Sequence, residues 1–446
     1  MTEMPTQRRN FLKRTSVAAG AVALSASAIP SVHAAGDETI KVALVGCGGR
    51  GTGAASQALN TAGPVKLWAM ADVFEDKLKT SLEVLTKGQE QRYDREAHDG
   101  FANQIDVAPE RQFVGWDAYK QAIDSGVDVV ILTTFPHFRP MQYAYAVEQG
   151  KHVFMEKPVA CDAAGVRQIL AANEIAKQKN LKVGVGLQRR HSPLYLETLD
   201  RIHGGAIGPI QSMRCYWNSG SAGQLNPRRG ETEMEFQMRN KYYFTWLAGD
   251  HIVEQHIHNI DICNWMAGGH PVECNGMGGR MWRNGREHGE IYDHHFVEYT
   301  YADGTKMHSQ CRHIPRCFSS MSEHAQGSKG SAMLDNRNGV IEIAGAEPWK
   351  YRGEKVNPYQ SEHDCLFDAV RKDLPFNEAE YGAISTMTAI MGRMATYSGK
   401  VVQWEDALNS EVDLKPDRYA WDGTPPVVPD ADGVYPCAMP GMTKVL

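Results

Sequence analysis

Histidines and carboxylates are concentrated between Gly249 and Asp261, where the chain reads GDHIVEQHIHNID. If this segment is one helix, four of these side chains recur every three or four residues and share one face. They are His251, Glu254, His258 and Asp261. The pattern therefore predicts two imidazoles and two carboxylates that point toward one space.

Three interpretations of this cluster are open on spacing alone. The polar groups can satisfy one another in a partly buried helix. Alternatively, His251, Glu254 and His258 ligate zinc or a similar ion, although the spacing is not His-Glu-x-x-His and no cysteine pattern accompanies it. In the third interpretation, His258 accepts or returns a hydroxyl proton while the carboxylates orient it and stabilise its charge.

A glycine-rich turn near the start of the chain is typical of dinucleotide binding. TIKVALVG at 39–46 predicts a buried parallel strand and runs into G-x-G-x-x-G. Gly46 permits the tight turn, Gly48 lets the backbone approach a pyrophosphate, and Gly51 allows close helix–strand packing. The following helix N-terminus supplies N–H groups for the phosphates. The predicted contacts are Gly46, Cys47, Gly48, Gly49, Arg50 and Gly51.

A second predicted strand, VKLWAMAD, ends at Asp72. Its distance along the chain from the glycine turn suits the carboxylate that binds the adenosine ribose hydroxyls. Because Asp72 would repel a 2′-phosphate, NAD is favoured over NADP. The alternative is that Asp72 caps the helix beginning EDKLKTSLEVL. Arg50 would offset the Asp72 charge if it folded over the adenine end.

Strands and helices continue to alternate beyond Asp72. The pattern predicts a strand over 127–135, a helix over 140–149 and a strand over 151–155. Such alternation after a glycine turn predicts a doubly wound parallel sheet of the Rossmann type.

The first 35 residues are predicted to be an export signal and not part of the fold. Arg8-Arg9 followed by NFLK matches the twin-arginine signal, and SVHAAG suits cleavage near Ala34 or Ala35. The alternative, a membrane anchor, requires a longer and more apolar run. We therefore expect the twin-arginine export machinery as a partner and a periplasmic location.

The charge of the chain argues against a nucleic-acid partner. The formal net charge is −6, and removing a leader with four basic residues and one acid (+3) leaves −9. Nucleic-acid binders carry the opposite sign. The nine cysteines form no C-x-x-C pair. No apolar stretch after the leader approaches membrane-spanning length, so no stable span is expected after processing.

Several motifs, in order, resemble the glucose–fructose oxidoreductase / inositol dehydrogenase (Gfo/Idh/MocA) family, in its exported twin-arginine subgroup. They are VGCGGRG at 45–51, the acid at 72, TTFPH at 133–137, EKP at 156–158, GVGLQRRHSPLY at 184–195 and DHIVEQHIHNIDICNWMAGG from 250. The run from EHDCLFDAVRK through STMTAIMGRMATYSGK also matches. The resemblance extends over nearly the whole chain after the leader.

The resemblance implies an α/β protein of two domains. An NAD-binding Rossmann domain would occupy 36–160. A second α/β domain at 161–446 would contain a large, mostly antiparallel sheet with one open face, and its last helices would pack back on the first domain. Nicotinamide and substrate would meet in the crevice between the domains. Open-faced sheets commonly associate, so a homo-oligomer is expected.

The resemblance also assigns roles within the site. Lys157 of EKP matches a lysine that approaches both the nicotinamide and the reacting hydroxyl, where a lowered pKa would suit proton relay. Glu254 and His258 match an Asp-x-x-x-His proton-transfer pair, and Asp261 matches a further acid. The predicted catalytic set is therefore Lys157, His258, Glu254 and Asp261, with no metal. Further cofactor contacts are expected from Thr134, His137, Glu156, Lys157 and Gln188. Arg139 replaces a histidine common in the family.

The implied function is an NAD(P)-dependent oxidoreductase that acts on a sugar or polyol hydroxyl. Because the periplasm lacks a free NAD pool, the cofactor is expected to be held tightly. The alternative is an NAD-dependent glycosidase that works by oxidation and elimination, and a third candidate is a cofactor-stabilised binding protein without turnover.

Two further stretches carry polar or aromatic residues. The segment 214–246 interleaves aromatic residues and arginines with Gly, Ser and Asn, as in loops that grip sugar rings, or in a surface or subunit-contact segment. His294, His295 and His313 lie on predicted strands, where alternation would send His294 and His295 to opposite faces.

Overall fold

The β-branched run after Thr39 forms the central strand of a parallel sheet. The computed structural model describes residues 38–90, 97–220, 222–335 and 337–446. The proposed export signal at 1–35, with Arg8 and Arg9, lies outside these residues. Thr39–Leu446 forms one compact unit.

The first domain alternates strands and helices throughout. In chain order its elements are β1 (Ile40–Val45), α1 (Gly49–Leu59), β2 (Val65–Asp72), α2 (Glu75–Lys87), β3 (Gln112–Val114), α3 (Ala118–Asp124), β4 (Val129–Leu132), α4 (Arg139–Glu148), β5 (His152–Met155), α5 (Ala163–Gln178) and β6 (Val183–Val185). A 3-10 turn at Pro109–Arg111 precedes β3.

The strand order is β3-β2-β1-β4-β5-β6, with every pair parallel. The order reverses between β1 and β4, and ligands of doubly wound sheets bind at the carboxyl ends of the strands beside such a reversal. The doubly wound fold is thus confirmed. The domain boundary was expected at residue 160. The sixth strand of this sheet lies beyond that residue, where Val183 pairs with Val153 of β5.

The second domain begins with a helix and is built around nine strands. Its elements are α6 (Pro193–His203), β7 (Ile210–Ser219), α7 (Glu233–Arg239), α8 (Thr245–Ala248), α9 (His251–Glu254), α10 (Ile257–Ala267), β8 (Glu273–Gly279), β9 (His294–Thr300), β10 (Lys306–His313), β11 (Ser320–Gly327), β12 (Gly330–Asp335), β13 (Val340–Gly345), β14 (Trp349–Lys350), α11 (Pro358–Lys372), α12 (Ala379–Ser398), β15 (Val402–Gln403) and α13 (Trp404–Leu408). Further 3-10 turns lie at Gln188–His191, Lys241–Tyr243 and Arg286–His288.

The second sheet has the order β14-β13-β12-β11-β7-β10-β9-β8-β15, and only β7 and β10 pair in parallel. Along β10 the side chains alternate between buried and half-buried, so one face of the sheet packs inward and the other is partly open. On β9, His294 is half-exposed and His295 is buried, as alternation predicts.

Two helices near the C-terminus connect the domains. Helix α12 is almost wholly buried and contacts both α5 and β8. On α11, Leu366 and Phe367 share a hydrophobic core with Ala54 and Leu59 of α1. Within the described residues, no helix has the length and apolar character needed to cross a membrane.

The segment GDHIVEQHIHNID does not form the single helix considered for it, because the chain breaks between α9 and α10. In a continuous helix the carbonyl of Glu254 would accept the N–H of His258. Instead it accepts the ammonium of Lys157 at 2.7 Å, and the His258 N–H turns to Gln255 at 3.4 Å. The break therefore follows from a contact made by a residue of the first domain.

Candidate active site

A cleft of about 510 Å³ lies at the carboxyl ends of β1, β2 and β4. Gly46, Gly48, Asp72 and Thr134 line the side formed by the first domain. The opposite side is formed by residues 223–242 of the second domain. The volume is within the range of cofactor sites, which run to roughly 300–1,000 Å³.

The glycine turn leaves room for a phosphate at one position and excludes side chains at two others. A Cβ at Gly46 would lie 2.6 Å from the Thr134 nitrogen, and one at Gly51 would lie 2.0 Å from the Gly46 oxygen. A Cβ at Gly48 would meet nothing within 4 Å. Gly48 is also the N-cap of α1, whose first turn carries no acid. These residues fit a pyrophosphate bound at the helix N-terminus.

Asp72 lines this cleft at the end of β2. Its carboxylate accepts N–H groups from Cys47 at 2.6 Å and from Phe74 at 2.8 Å. Burial raises the pKa of Asp72, while these backbone donors oppose the shift. The carboxylate is therefore fixed between the glycine turn and the start of α2. It is placed where a ribose would follow the pyrophosphate. The side chain does not form the N-cap of α2, since that position is Phe74.

In this structure Arg50 binds residues other than Asp72. Its guanidinium pairs with Glu156 at 2.7 Å, donates to Gln57 at 2.6 Å and lies 4.9 Å from the ring centre of Tyr359. Tyr359 in turn accepts a hydrogen bond from Gln188 at 3.0 Å. Glu156 thus binds Arg50 of the glycine turn directly, and Gln188 is linked to Arg50 through Tyr359.

The loop after β4 is held by buried hydrogen bonds. The hydroxyl of Thr134 donates to Gln142 at 2.6 Å, and both residues line the cleft. His137 is buried against Tyr419 at 2.8 Å and does not line it. Arg139 donates to the carbonyls of Thr134 and Pro158, which ties this loop to EKP. Arg139 therefore replaces the family histidine with a structural cross-link.

Lys157, Glu254 and His258 come together where α9 ends. Besides the Lys157 contact to its carbonyl, Glu254 binds the ammonium of Lys241 through Oε1 at 2.9 Å. The His258 ring stacks on Trp217, with ring centres 6.0 Å apart. Its Nδ1 is buried and has no hydrogen-bond partner. Lys157 and Lys241 therefore both bind Glu254, four residues before the buried imidazole of His258.

The surroundings shift the pKa values of all three groups. Burial lowers the pKa of Lys157, and Lys241 and Arg139 add to the effect. Burial also lowers the pKa of His258, and Lys157 contributes through its charge. For Glu254 burial acts upward, but the neighbouring cations outweigh it and lower the pKa. A neutral imidazole and an ionised carboxylate at neutral pH suit proton transfer.

Asp261 and His251 have hydrogen-bond partners outside the group of Lys157, Glu254 and His258. Asp261 forms a two-pronged ion pair with Arg190 and accepts the Ser385 hydroxyl at 2.7 Å. His251 lies on the separate turn α9 and binds Asp250 at 2.8 Å. Its ring also stacks on His313 at 4.5 Å between ring centres. Asp261 thus anchors α10 to Arg190 and to Ser385 of α12.

Asp250, His251 and His295 form a compact set whose ligand-type atoms lie within 4.8 Å of one another. The Asp250 carboxylate also accepts Tyr397 at 2.7 Å and the Tyr292 N–H at 3.1 Å. Hydrogen bonds satisfy both oxygens of Asp250 and both ring nitrogens of His295, whereas Nε2 of His251 is buried without a hydrogen-bond partner.

The site residues that the sequence did not predict come from two segments that lie far along the chain from the glycine turn. We call residues 222–242 the cleft cover and residues 409–446 the C-terminal arm. Lys241 and Tyr242 of the cover line the cleft. Trp421 of the arm packs against Phe74 at 5.1 Å and Trp116 at 5.0 Å. The aromatic-rich segment 214–246 was a signal for the cover, but its start is strand β7 and nothing in the spacing marked Lys241 or the arm.

The fold and site define an NAD-binding Rossmann domain joined to an open-sheet domain. Residues 40–187 match the family model described as Oxidoreductase family, NAD-binding Rossmann fold (Gfo/Idh/MocA). These residues form the NAD-binding domain, and the match supports assignment to that family.

Known proteins with related sequences are dehydrogenases by name. Inositol 2-dehydrogenase 1 of Saccharopolyspora erythraea is 32% identical over 139 residues, covering 30% of this chain and 39% of the relative. The scyllo-inositol 2-dehydrogenase (NAD(+)) of Bacillus subtilis is 28% identical over 195 residues, covering 43% and 48%. The chain thus spans less than half the length of either relative.

A solved structure extends the likeness to both domains. The aldose-aldose oxidoreductase of Caulobacter crescentus, complexed with glycerol, superposes with a TM-score of 0.63. The two chains share 17% identity, and the alignment covers 82% of this chain and 99% of that one. At this identity the likeness shows the fold.

Proposed function

We propose that this protein is an NAD-dependent oxidoreductase that oxidises a secondary hydroxyl of a polyol or sugar and holds its cofactor tightly. The observation that carries the proposal is the contact of the Lys157 ammonium with the Glu254 carbonyl, at the turn that leads into the helix of His258, beside a cleft headed by Gly48. Relatives named inositol 2-dehydrogenase support the substrate class, and these relatives do not favour a glycosidase.

The residues divide the chemistry among them. Gly48 and the start of α1 would hold the pyrophosphate of NAD, and Asp72 the adenosine ribose. When bound, NAD supplies the acceptor for the hydride of the carbinol carbon. The amine of Lys157 accepts the hydroxyl proton from the reacting oxygen and relays it to the neutral imidazole of His258, and Glu254 fixes the turn between them.

The test uses the purified full chain with its bound nucleotide identified by native mass spectrometry. We expect NAD in the preparation and a rise in nicotinamide absorbance with at least one member of a panel of inositols and aldoses. Release of an aglycone from aryl glycosides without net NADH would indicate a glycosidase instead. Bound NAD with no spectral change for any polyol or sugar would mean a binding protein, and either result would refute the proposal.

We also propose export by the twin-arginine route to the periplasm and assembly as a homo-oligomer. The Arg8-Arg9 pair supports the first, and Arg8→Lys with Arg9→Lys should trap the precursor inside the cell. The partly open face of the second sheet, with Met277 74% exposed, supports the second. Light scattering of the purified protein should give a mass above that of one chain. Normal export of the double variant, or the mass of one chain, would contradict the respective idea.

A further inference from the structure

Lys241 reaches the candidate active site from the cleft cover, outside every motif that the family resemblance supplied. It lies in the turn Lys241–Tyr243 that follows α7. Its ammonium is 2.9 Å from Glu254 Oε1 and lies near the rings of Phe135 and Tyr242, at 5.1 and 4.7 Å from their centres. Its side chain is 22% exposed and lines the cleft.

We propose that Lys241 is a positioning residue of the reaction, which holds the Glu254 carboxylate away from Lys157 and so keeps Lys157 ready for proton transfer. This inference rests on the proposed function, because it assigns Lys241 a part in the same proton-transfer group. Lys241 acts through Glu254 and Lys157, and no contact with the reacting atoms is assigned to it.

The backbone carbonyl and the side-chain carboxylate of Glu254 bind different lysines. The backbone carbonyl binds Lys157 at 2.7 Å, and carboxylate oxygen Oε1 binds Lys241 at 2.9 Å. The other oxygen, Oε2, is buried and has no hydrogen-bond partner. A buried carboxylate oxygen without a donor is costly, so the carboxylate would take a second cation if its first were removed. Lys157 is the candidate, because it already binds the backbone carbonyl of the same residue and its charge acts on the carboxylate.

Four charged side chains act on the pKa of Lys157. Burial lowers the pKa of Lys157, and Lys241 and Arg139 act in the same direction. Glu254 and Glu156 raise it. Loss of Lys241 would remove one like charge and would release the Glu254 carboxylate toward Lys157. Both changes raise the pKa of Lys157, so the pKa should rise whatever the size of each contribution.

The first experiment compares Lys241→Met and Lys241→Arg with the wild-type holoenzyme over a range of pH. We expect Lys241→Met to move the limb of the kcat/KM profile that reports Lys157 toward higher pH by about one unit, which at a fixed pH on that limb is about tenfold. Lys241→Arg keeps the positive charge and should retain the wild-type profile. A fall in activity with the profile unmoved would leave Lys241 a purely structural role and would overturn the inference.

A matched control comes from another lysine–glutamate pair. Lys87 binds Glu83 at 2.8 Å on the exposed surface of α2, far along the chain from the site, so Lys87→Met should leave the profile unchanged. A shift of the same size in this control would show that the change in net charge alone moves the profile.

The second experiment does not require turnover. Lysine labelled with carbon-13 at Cε would report the titration of Lys157 by NMR, with the signal assigned from Lys157→Arg. Lys157 should titrate at higher pH in Lys241→Met than in the wild type, even if no substrate is found. If no sugar is oxidised but the titration shifts, the proposed function fails while the Lys241 contact stands. An unshifted titration overturns the inference whatever the activity.

Discussion

Trp421 of the C-terminal arm should control how tightly NAD is retained. Its indole packs against Phe74 and Trp116 of the first domain, and its carbonyl accepts the hydroxyl of Thr232 at 2.8 Å. Thr232 also caps α7 of the cleft cover. One residue therefore joins the wall of the cofactor cleft to the segment that closes it.

The change Trp421→Ala removes two aromatic contacts and leaves the backbone bond to Thr232 in place. Each aromatic pair contributes about 0.5–1.5 kcal/mol, so the cover would lose about 1–3 kcal/mol of attachment. That corresponds to about 5- to 150-fold more frequent opening. If NAD leaves only when the cover opens, its dissociation should accelerate by the same factor.

The assay measures NAD that remains after gel filtration, and its release rate into excess competing nucleotide. Trp349→Ala is the matched control, because Trp349 packs on Arg201 at 4.5 Å on strand β14 and does not line the cofactor cleft. Wild-type retention by Trp421→Ala would refute the reasoning, as would equal loss in both variants.

The remaining predictions concern single residues of the site and its support. Asp72→Asn should weaken NAD binding in calorimetry by about 1–2 kcal/mol through the lost charge-assisted bond, and unchanged affinity would remove Asp72 from the ribose role. His258→Gln should lower kcat about 100-fold while NAD stays bound, and wild-type turnover would end that assignment. Burial opposes protonation of His191, but hydrogen bonds to Cys365 and Glu378 outweigh it and raise its pKa to about 10. The stabilisation is thus present below about pH 6.5 and lost as pH rises toward 10. Glu378→Gln should therefore lower the unfolding free energy at pH 6 by about 1–3 kcal/mol and flatten its fall above pH 7, and an unchanged slope in denaturant melts would contradict this.

Local patterns sufficed for the first domain and failed where distant residues decide the backbone. Strand β2 was predicted with its observed bounds, because a short, mostly apolar run between a loop and an acid needs no tertiary information. The break after Glu254 was missed, since the lysine that takes its carbonyl lies 97 residues earlier. The role of Lys241 was invisible for the same reason, as its contact to Glu254 depends on how the cover folds back.

Cofactor retention and proton transfer are coupled in this structure because the same segment serves both. Thr232, in the middle of the cleft cover, is bound to the arm, and Lys241, near the end of the cover, binds Glu254. Loosening the arm should therefore displace Lys241 as well as free NAD. Trp421→Ala should then shift the pH profile in the same direction as Lys241→Met when NAD is added in excess. A variant that loses NAD but keeps the wild-type profile would show that the parts of the cover around Thr232 and Lys241 move independently.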